Sequence, residues 1–252
     1  MDGQPIIECR ELTKYYGKQV AVNHLNLAIN QGEIFGFLGP NGAGKTTTLL
    51  MLLGLSEPTS GSATVCGFNP AREPLQVKRI VGYLPENVGF YDDMNAVQNI
   101  QYVSRLNGIP DDVALPMIEE LLDIVELKAE KTKKAGNFSR GMRQRLGIAE
   151  VLIKEPKVIF MDEPTLGLDP DGTAKILNLI TSLSKEKNMT IFFSSHLLDQ
   201  VQKISDRVGM MIKGKLVALG HIDDLAKAKF GVDQEHYTLE EIYMKYFKEG
   251  QK

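Results

Sequence analysis

Hydrophobic residues follow three different spacings along this chain of 252 residues. In the first thirty residues they alternate with polar residues, which predicts the strands of an antiparallel sheet. From about 94 to 155 they recur at helical spacing only. Short apolar runs at 33–38, 157–161 and 190–194 each lead into a helical pattern, which predicts parallel strands joined by helices.

The helical block lies inside the α/β pattern rather than after it. We therefore predict an α/β protein whose core is interrupted by a helical lobe. The core is expected at 1–87 and 157–220, the lobe at 88–156, and a helical tail at 221–252.

Three local signals refine these elements. The run 79–84 predicts a further strand just before the lobe. Asp111 and Asp112 are candidate caps for one lobe helix. Ser139 is the expected N-cap of another lobe helix, which continues through Ile153.

Composition and charge narrow the class of protein. Hydrophobic residues make up 43% and charged residues 24%, as in ordinary soluble globular proteins. The net charge of −3 gives no electrostatic footprint for nucleic acid. Two cysteines, Cys9 and Cys66, suggest no disulfide framework, and no apolar run approaches the ~18 residues of a membrane span. We expect a cytoplasmic protein.

The most informative motif lies between the 33–38 strand and the following helix. It fits the P-loop pattern G-x-x-x-x-G-K-[ST] and comprises Gly39, Pro40, Asn41, Gly42, Ala43, Gly44, Lys45, Thr46 and Thr47. Backbone N–H groups of such a turn, with the helix N-terminus, hold the phosphates of a nucleotide such as ATP. Lys45 can reach the β- and γ-phosphates, and the Thr46 hydroxyl can bind Mg²⁺.

Polar residues that follow two other apolar strands complete a catalytic set. Asp162 and Glu163 directly follow the 157–161 run, at the carboxyl end of the strand, where open α/β sheets bind ligands. Asp162 can hold Mg²⁺, and Glu163 can accept a proton from an attacking water. His196 follows the 190–194 run, where it can contact the γ-phosphate and hold the catalytic acid.

From about Ile7 to Leu219 the chain resembles the nucleotide-binding subunits of ABC transporters. Besides the P-loop and the two acids, it carries a signature segment at 137–146 and a D-loop at 167–169, in the order of that family. The resemblance implies an ABC ATPase domain over 1–220 with a RecA-like P-loop NTPase core, an N-terminal antiparallel β-subdomain and a helical lobe.

The resemblance also implies further site residues and partners. Tyr16 would stack on adenine, although the residues alone leave the choice between Tyr15 and Tyr16 open. Ser139, Gly141 and Asp169 would contact the ATP of a second ATPase subunit, the same chain or a related one, in a head-to-tail dimer. A separate membrane permease would carry the substrate and hold the ATPase at the inner face of the membrane. No direct contact with nucleic acid is expected.

Two residues depart from the family pattern. Arg140 stands where the signature usually has glycine, and Glu86 stands where a metal-contacting glutamine is usual. We expect Glu86 still to ligate Mg²⁺, with a full negative charge. Both departures resemble the branch that serves ABC-2-type permeases, mostly exporters.

Several alternatives remain open at this point. A soluble ABC ATPase that acts on nucleic acid or the ribosome is the second hypothesis, and a small-molecule kinase is disfavoured because it would leave the signature and His196 without a purpose. Phe90 and Tyr91 are either exposed for a permease or packed in the lobe. The tail stripe of 239–247 is expected to pack on the protein's own core, with binding to a permease or a second copy as the alternative.

Overall fold

The structure is a computed structural model that describes residues 5–230 and 238–249. Its strands, in chain order, are β1 (Ile7–Tyr16), β2 (Gln19–Ile29), β3 (Ile34–Leu38), β4 (Ser60–Val65), β5 (Val81–Leu84), β6 (Val158–Asp162), β7 (Thr190–Ser195), β8 (Arg207–Ile212) and β9 (Lys215–Gly220). Its helices are α1 (Lys45–Leu52), α2 (Pro74–Ile80), α3 (Ala96–Leu106), α4 (Asp111–Ile124), α5 (Arg140–Leu152), α6 (Pro170–Lys187), α7 (Leu198–Ile204), α8 (Ile222–Phe230) and α9 (Leu239–Glu249).

Two sheets make up the β-structure. A three-stranded antiparallel sheet has the order β2-β1-β4, and a six-stranded sheet has the order β5-β6-β7-β3-β8-β9. All pairs in the larger sheet are parallel except β8 with β9. Every residue of β3, β6 and β7 is buried, because both faces of a central parallel sheet are covered. The α/β class and the antiparallel β-subdomain are confirmed.

The two faces of the larger sheet pack against different parts of the chain. On one face, Phe35, Phe37 and Phe160 surround Phe192, with ring centroids 5.2–5.6 Å from it, and join the antiparallel sheet and α1 in one core cluster. The other cluster contains the buried side chains of α3, α4, α5 and α6. Between β5 and β6 the only regular elements are helices, as the predicted lobe requires.

The order of the strands determines where the site forms. The three central strands β6, β7 and β3 are neighbours, and the register pairs Asp162 with Ser194 and Leu38 with Ser195. Their carboxyl ends therefore meet at one edge of the sheet. The P-loop, the two acids and His196 all follow these ends.

Some predicted boundaries are wrong. Residues 79–80 belong to α2 rather than to a strand. Pro74 suits the first turn of this helix. Because only Val77 is buried on α2, the helix gives a weak periodic signal in the sequence. Neither Asp111 nor Asp112 caps α4: Pro110 holds the N-cap position, and Asp111 instead accepts a hydrogen bond from Arg105 Nε at 2.8 Å. Ser139 does cap α5, where its hydroxyl accepts from the Met142 N–H at 3.3 Å.

The tail packs on the rest of the protein, as expected. The N–H of Thr238 donates to Glu241 at 2.9 Å, and the Glu241 N–H donates back to the Thr238 hydroxyl at 3.3 Å, so a capping box forms. Leu239 and Ile242 are fully buried in the core cluster that also contains the buried side chains of α3 to α6, and Tyr246 packs against this cluster. Residues 231–237 and 250–252 of the predicted tail lie outside the described residues.

Candidate nucleotide site

The P-loop turns back on itself between β3 and α1. Gly44 is the N-cap of α1 and has a φ of 106°, a conformation that side chains other than glycine rarely adopt. A Cβ at this position would lie 2.2 Å from the carbonyl oxygen of Ala21. Only glycine can therefore bring the start of α1, with its free N–H groups, this close to the antiparallel sheet.

Lys45 is buried in the loop that it follows. Its ammonium donates hydrogen bonds to the carbonyl oxygens of Gly39 at 2.7 Å and Pro40 at 3.4 Å. It also lies 3.3 Å from Glu163 Oε1, and both side chains are less than a tenth exposed. The pair keeps each buried charge compensated until a phosphate can take the place of the carboxylate beside the ammonium.

The carboxylate of Asp162 is held on both sides. The Thr46 hydroxyl donates to Oδ2 at 2.9 Å, and the Ser194 hydroxyl donates to Oδ1. Asp162 itself is 4% exposed. Two donated hydrogen bonds fix the carboxylate beside the start of α1, where a nucleotide-bound metal would lie.

Glu163 is aimed into the site by an unusual backbone. Its φ of 48° lies in the left-handed region, which costs of order 1–3 kcal/mol for a residue with a side chain. The Glu163 N–H is held by the carbonyl oxygen of Ser194 at 3.1 Å. One carboxylate oxygen, Oε2, lies 3.0 Å from His196 Nδ1, while Oε1 is buried, faces the Lys45 ammonium and accepts no hydrogen bond. A water molecule could donate to that oxygen.

An open cavity of about 250 Å³ connects these groups. Its lining includes Tyr16, Gln19, Ala21, Pro40, Asn41, Gly42, Ala43, Gly44, Lys45, Thr46, Thr47, Glu86 and Glu163. Tyr16 is 51% exposed at the end of β1, and Tyr15 does not line the cavity. The structure thus brings Tyr16, rather than its neighbour, together with the P-loop, and Glu86 lines the same cavity.

The edge of the site carries negative potential. Burial raises the pKa of the Tyr83 phenol to about 12, and the carboxylates of Asp162 and Glu86 add to that rise. The described residues contain no cluster of three or more histidine, cysteine or acidic groups that would form a closed metal cage. The Thr46 hydroxyl and the carboxylates of Asp162 and Glu86 are nevertheless the oxygen ligands that Mg²⁺ prefers when phosphates and water supply the rest.

The residues predicted to contact the ATP of a second subunit lie apart from this cavity. Ser139, Gly141 and Asp169 are not among its lining residues. Ser139 is exposed, and Asp169 is the N-cap of α6, where its Oδ1 accepts from the Gly172 N–H at 2.7 Å. Within one chain, therefore, the structure does not bring these three residues to the P-loop.

Arg140 does not project away from the protein. Its guanidinium lies over Gly167 in the D-loop, so closely that a Cβ on this glycine would be 2.5 Å from Nη1. Gly141 approaches the same segment, with Leu168 Cδ2 4.0 Å from its would-be Cβ. The departure from the usual signature thus links the start of α5 to the loop between Glu163 and α6.

The two aromatic residues after Glu86 have different environments. Phe90 packs against the core cluster of the lobe, with the Arg143 guanidinium 5.1 Å from its ring centroid. Tyr91 is 51% exposed and meets Tyr102 edge-on at 4.9 Å. Of the two alternatives, lobe packing applies to Phe90 and exposure to Tyr91.

Three hydrogen bonds at the site were not predicted from the sequence. Ser194 holds Asp162 and Glu163, and the Thr165 hydroxyl donates to the Gln200 side chain on α7. The signal for Ser194 was present, because it is the first polar residue after the apolar run of β7. Nothing in the local sequence pairs Thr165 with Gln200, which is 35 residues away.

Taken together, a strand-to-helix glycine loop, a buried lysine and two strand-end acids define a P-loop ATPase. The family model described as ABC transporter matches residues 22–166, more than half of the chain. This chain belongs to the ABC transporter family, as an ATP-binding subunit that hydrolyses ATP.

Relatives and solved structures agree with this assignment. The chain is 46% identical to the bacitracin transport ATP-binding protein BcrA of Bacillus licheniformis, over 88% of this chain and 72% of that protein. For BcrA of Enterococcus faecalis the identity is 40%, over 88% and 71%. A solved ATP-binding subunit of an ABC transporter superposes with a TM-score of 0.84 at 26% identity, covering 96% of this chain and 99% of that one.

A second solved structure comes from a transporter complex. It is cbiO1 from Clostridium perfringens, part of the ABC transporter complex cbiONQ, with a TM-score of 0.82, 26% identity and coverage of 90% and 96%. These proteins are transporter subunits, so the hypothesis of an ATPase that acts on nucleic acid or the ribosome is not supported. Within the described ranges, no helix is both long enough and apolar enough to span a bilayer.

Proposed function

We propose that this subunit hydrolyses ATP at the P-loop edge, which is the edge of the larger sheet that carries the P-loop, Asp162, Glu163 and His196. Each of its residues has a defined role. Tyr16 stacks on the adenine, and the P-loop from Gly39 to Thr47 binds the phosphates. Mg²⁺ bound with ATP would be held by Thr46, Asp162 and Glu86, and it would neutralise phosphate charge. Lys45 stabilises the charge that develops on the γ-phosphate.

Glu163 is the proposed general base. Its Oε1 accepts the proton of a water molecule as the water oxygen bonds to the γ-phosphorus and the bond to the bridging oxygen of ADP breaks. His196, 3.0 Å from Oε2, keeps the carboxylate turned toward that water. The single observation that carries this role is the buried Oε1, which accepts no hydrogen bond although it lies 3.3 Å from the Lys45 ammonium.

The signature turn, residues 139–141 at the start of α5, supports a head-to-tail pair of subunits because Ser139 and Arg140 are exposed. Ser139, Gly141 and the N-terminus of α5 form an anion site that the chain's own P-loop does not use. We propose that they bind the γ-phosphate of ATP held by a second subunit, with Asp169 at the same interface. Each subunit then completes the pocket of the other.

We further propose that the subunit drives export through a separate ABC-2-type permease, at the inner face of the cell membrane. Two of its relatives are bacitracin transport proteins. Glu86 and Arg140, which depart from the usual family pattern, resemble the branch that serves ABC-2-type permeases. Exposed Tyr91 is a candidate contact with that permease.

Glu163→Gln tests the assignment of the base. The amide cannot accept the proton, so turnover should fall by at least ~10²–10⁴. ATP binding should persist, and ATP should hold two subunits together, which light scattering after gel filtration would show. Glu186→Gln, at an exposed position on α6, is the matched control. Hydrolysis at the parental rate by Glu163→Gln would refute the role of Glu163.

A further inference from the structure

A second cavity of about 310 Å³ lies beside the nucleotide site. It is lined by Gly39, Pro40, Asn41, His196, Leu198 and Tyr243. The first four belong to the site, and Leu198 opens α7 directly after it. Tyr243 comes from α9, the last helix of the described chain, so a distant part of the sequence forms one wall next to His196.

Packing of α9 fixes the place of Tyr243. The Leu239 N–H donates to the Gln202 side chain on α7 at 2.9 Å, and Leu239 and Ile242 are fully buried. Tyr243 follows Leu239 by one helical turn and therefore shares its face. The ring of Phe247, one turn further, stacks on Tyr243 at 5.7 Å between centroids. Stacking on Phe247 and packing against the core cluster that contains Leu239 and Ile242 hold the Tyr243 ring in place.

Tyr243 is partly buried and lines the same cavity as His196. Burial raises the pKa of its phenol above an ordinary value that already keeps it neutral at physiological pH. The His196 side chain is 34% exposed, and Nδ1 contacts the nearly buried Glu163. Tyr243 and Leu198 line the same cavity as the imidazole, so their bulk limits how far that ring can turn away from Glu163.

We propose that Tyr243 is a positioning residue that acts through His196, which makes the C-terminal helix α9 a part of the ATPase site. The aromatic ring, with Leu198, forms a wall that keeps the imidazole turned toward Glu163. This inference rests on the proposed function, because it requires that His196 hold the catalytic acid.

Steady-state ATP hydrolysis by variants of the full chain tests the inference. Tyr243→Ala should lower kcat by roughly five- to tenfold, the scale of one weakened hydrogen bond, and leave KM unchanged. Tyr243→Phe keeps the wall and should retain the parental kcat. Met244→Ala is the control, because Met244 is 44% exposed on the same helix and does not line the cavity. Melting temperatures are recorded for each variant, and Tyr243→Gln replaces Tyr243→Ala if the alanine variant does not fold.

A double-variant cycle separates positioning from general packing. In a His196→Ala background, Tyr243→Ala should cause no further loss of kcat, because its effect passes through the imidazole. The same fold-loss in that background would overturn the inference, as would a parental kcat for Tyr243→Ala or an impaired Tyr243→Phe. If His196→Ala alone hydrolyses ATP at the parental rate, the proposed role of His196 fails first, and the Tyr243 inference fails with it.

Discussion

The P-loop edge and the signature turn are the two regions of the chain proposed to bind phosphate, and they are built in opposite ways. At the P-loop edge the charged groups Lys45, Asp162 and Glu163 are all less than a tenth exposed and contact one another or neighbouring donors. At the signature turn Ser139 and Arg140 are exposed, and the Ser139 hydroxyl serves only its own helix. One region is assembled by folding, whereas the other is left for a partner.

Burial explains why the two regions differ. A buried charge without a partner costs several kcal/mol, so the P-loop edge must be interlocked before ATP arrives. An exposed helix N-terminus is satisfied by water and can wait for a phosphate at little cost. The comparison therefore predicts that changes at the P-loop edge affect folding and binding together, while changes at the signature turn affect only the pair.

The largest combined effect on ATP binding and turnover is expected from Lys45→Ala. It removes the cation that faces the γ-phosphate and leaves the Glu163 charge buried without its partner, so turnover should fall by at least ~10² and ATP binding should weaken. Titration with a fluorescent ATP analogue and an assay of phosphate release would measure both. Lys185→Ala, at an exposed position on α6, should change neither.

Gly141→Asp should abolish hydrolysis without harming the fold. A Cβ at Gly141 has no neighbour closer than 3.9 Å, and an acid suits the first turn of α5, but its charge repels a phosphate. Mixing this variant with Lys45→Ala should restore roughly a quarter of the parental rate, because half of the pairs then contain one intact composite site. Gly141→Asn is the uncharged control, and a mixture as inactive as its components would contradict the head-to-tail arrangement.

Alanine at two glycines compares the rigidity of the regions. Gly44→Ala forces a Cβ to 2.2 Å from the Ala21 carbonyl oxygen in a left-handed conformation, so it should lower the free energy of unfolding by about 2–4 kcal/mol. Gly141→Ala adds a methyl group to an open helical turn and should change it by less than about 0.5 kcal/mol. Urea unfolding of both variants would measure the difference, and equal losses would remove the structural contrast.

The smallest effect is expected at Glu150 on α5, which lies two turns beyond the signature turn. Burial raises the pKa of this carboxyl to about 8 in the folded protein, from 4.5. Its contribution to stability is therefore fully present below pH 4.5 and is lost as pH rises through 8. Glu150→Gln should gain about 1–2 kcal/mol of stability relative to the parent between pH 5 and 9, because the half-buried group keeps part of its hydration.

Chemical denaturation at several pH values would measure this gain. Glu186→Gln is the control, because Glu186 is exposed and should show no such trend. A pH-independent effect of Glu150→Gln would show that ionisation of Glu150 does not oppose folding.

Much of the site could be predicted from the sequence because its parts are local. A glycine-rich turn, a lysine and an apolar strand that ends in Asp162 and Glu163 can each be identified from a few consecutive residues. The strand order of the structure then brings His196 to the same edge. The strand expected at 79–84 was too long because α2 buries only Val77 and so lacks a helical stripe.

By itself the sequence determined the class of fold, the phosphate loop and the residues proposed to contact ATP, because backbone conformation and residue type act over short distances. Only the tertiary structure decided which tyrosine faces the P-loop, that Ser194 holds Asp162, that the Arg140 guanidinium lies on Gly167, and that α9 and His196 line one cavity. These contacts join segments far apart in the chain, and their geometry depends on how helices and sheets pack rather than on any local pattern.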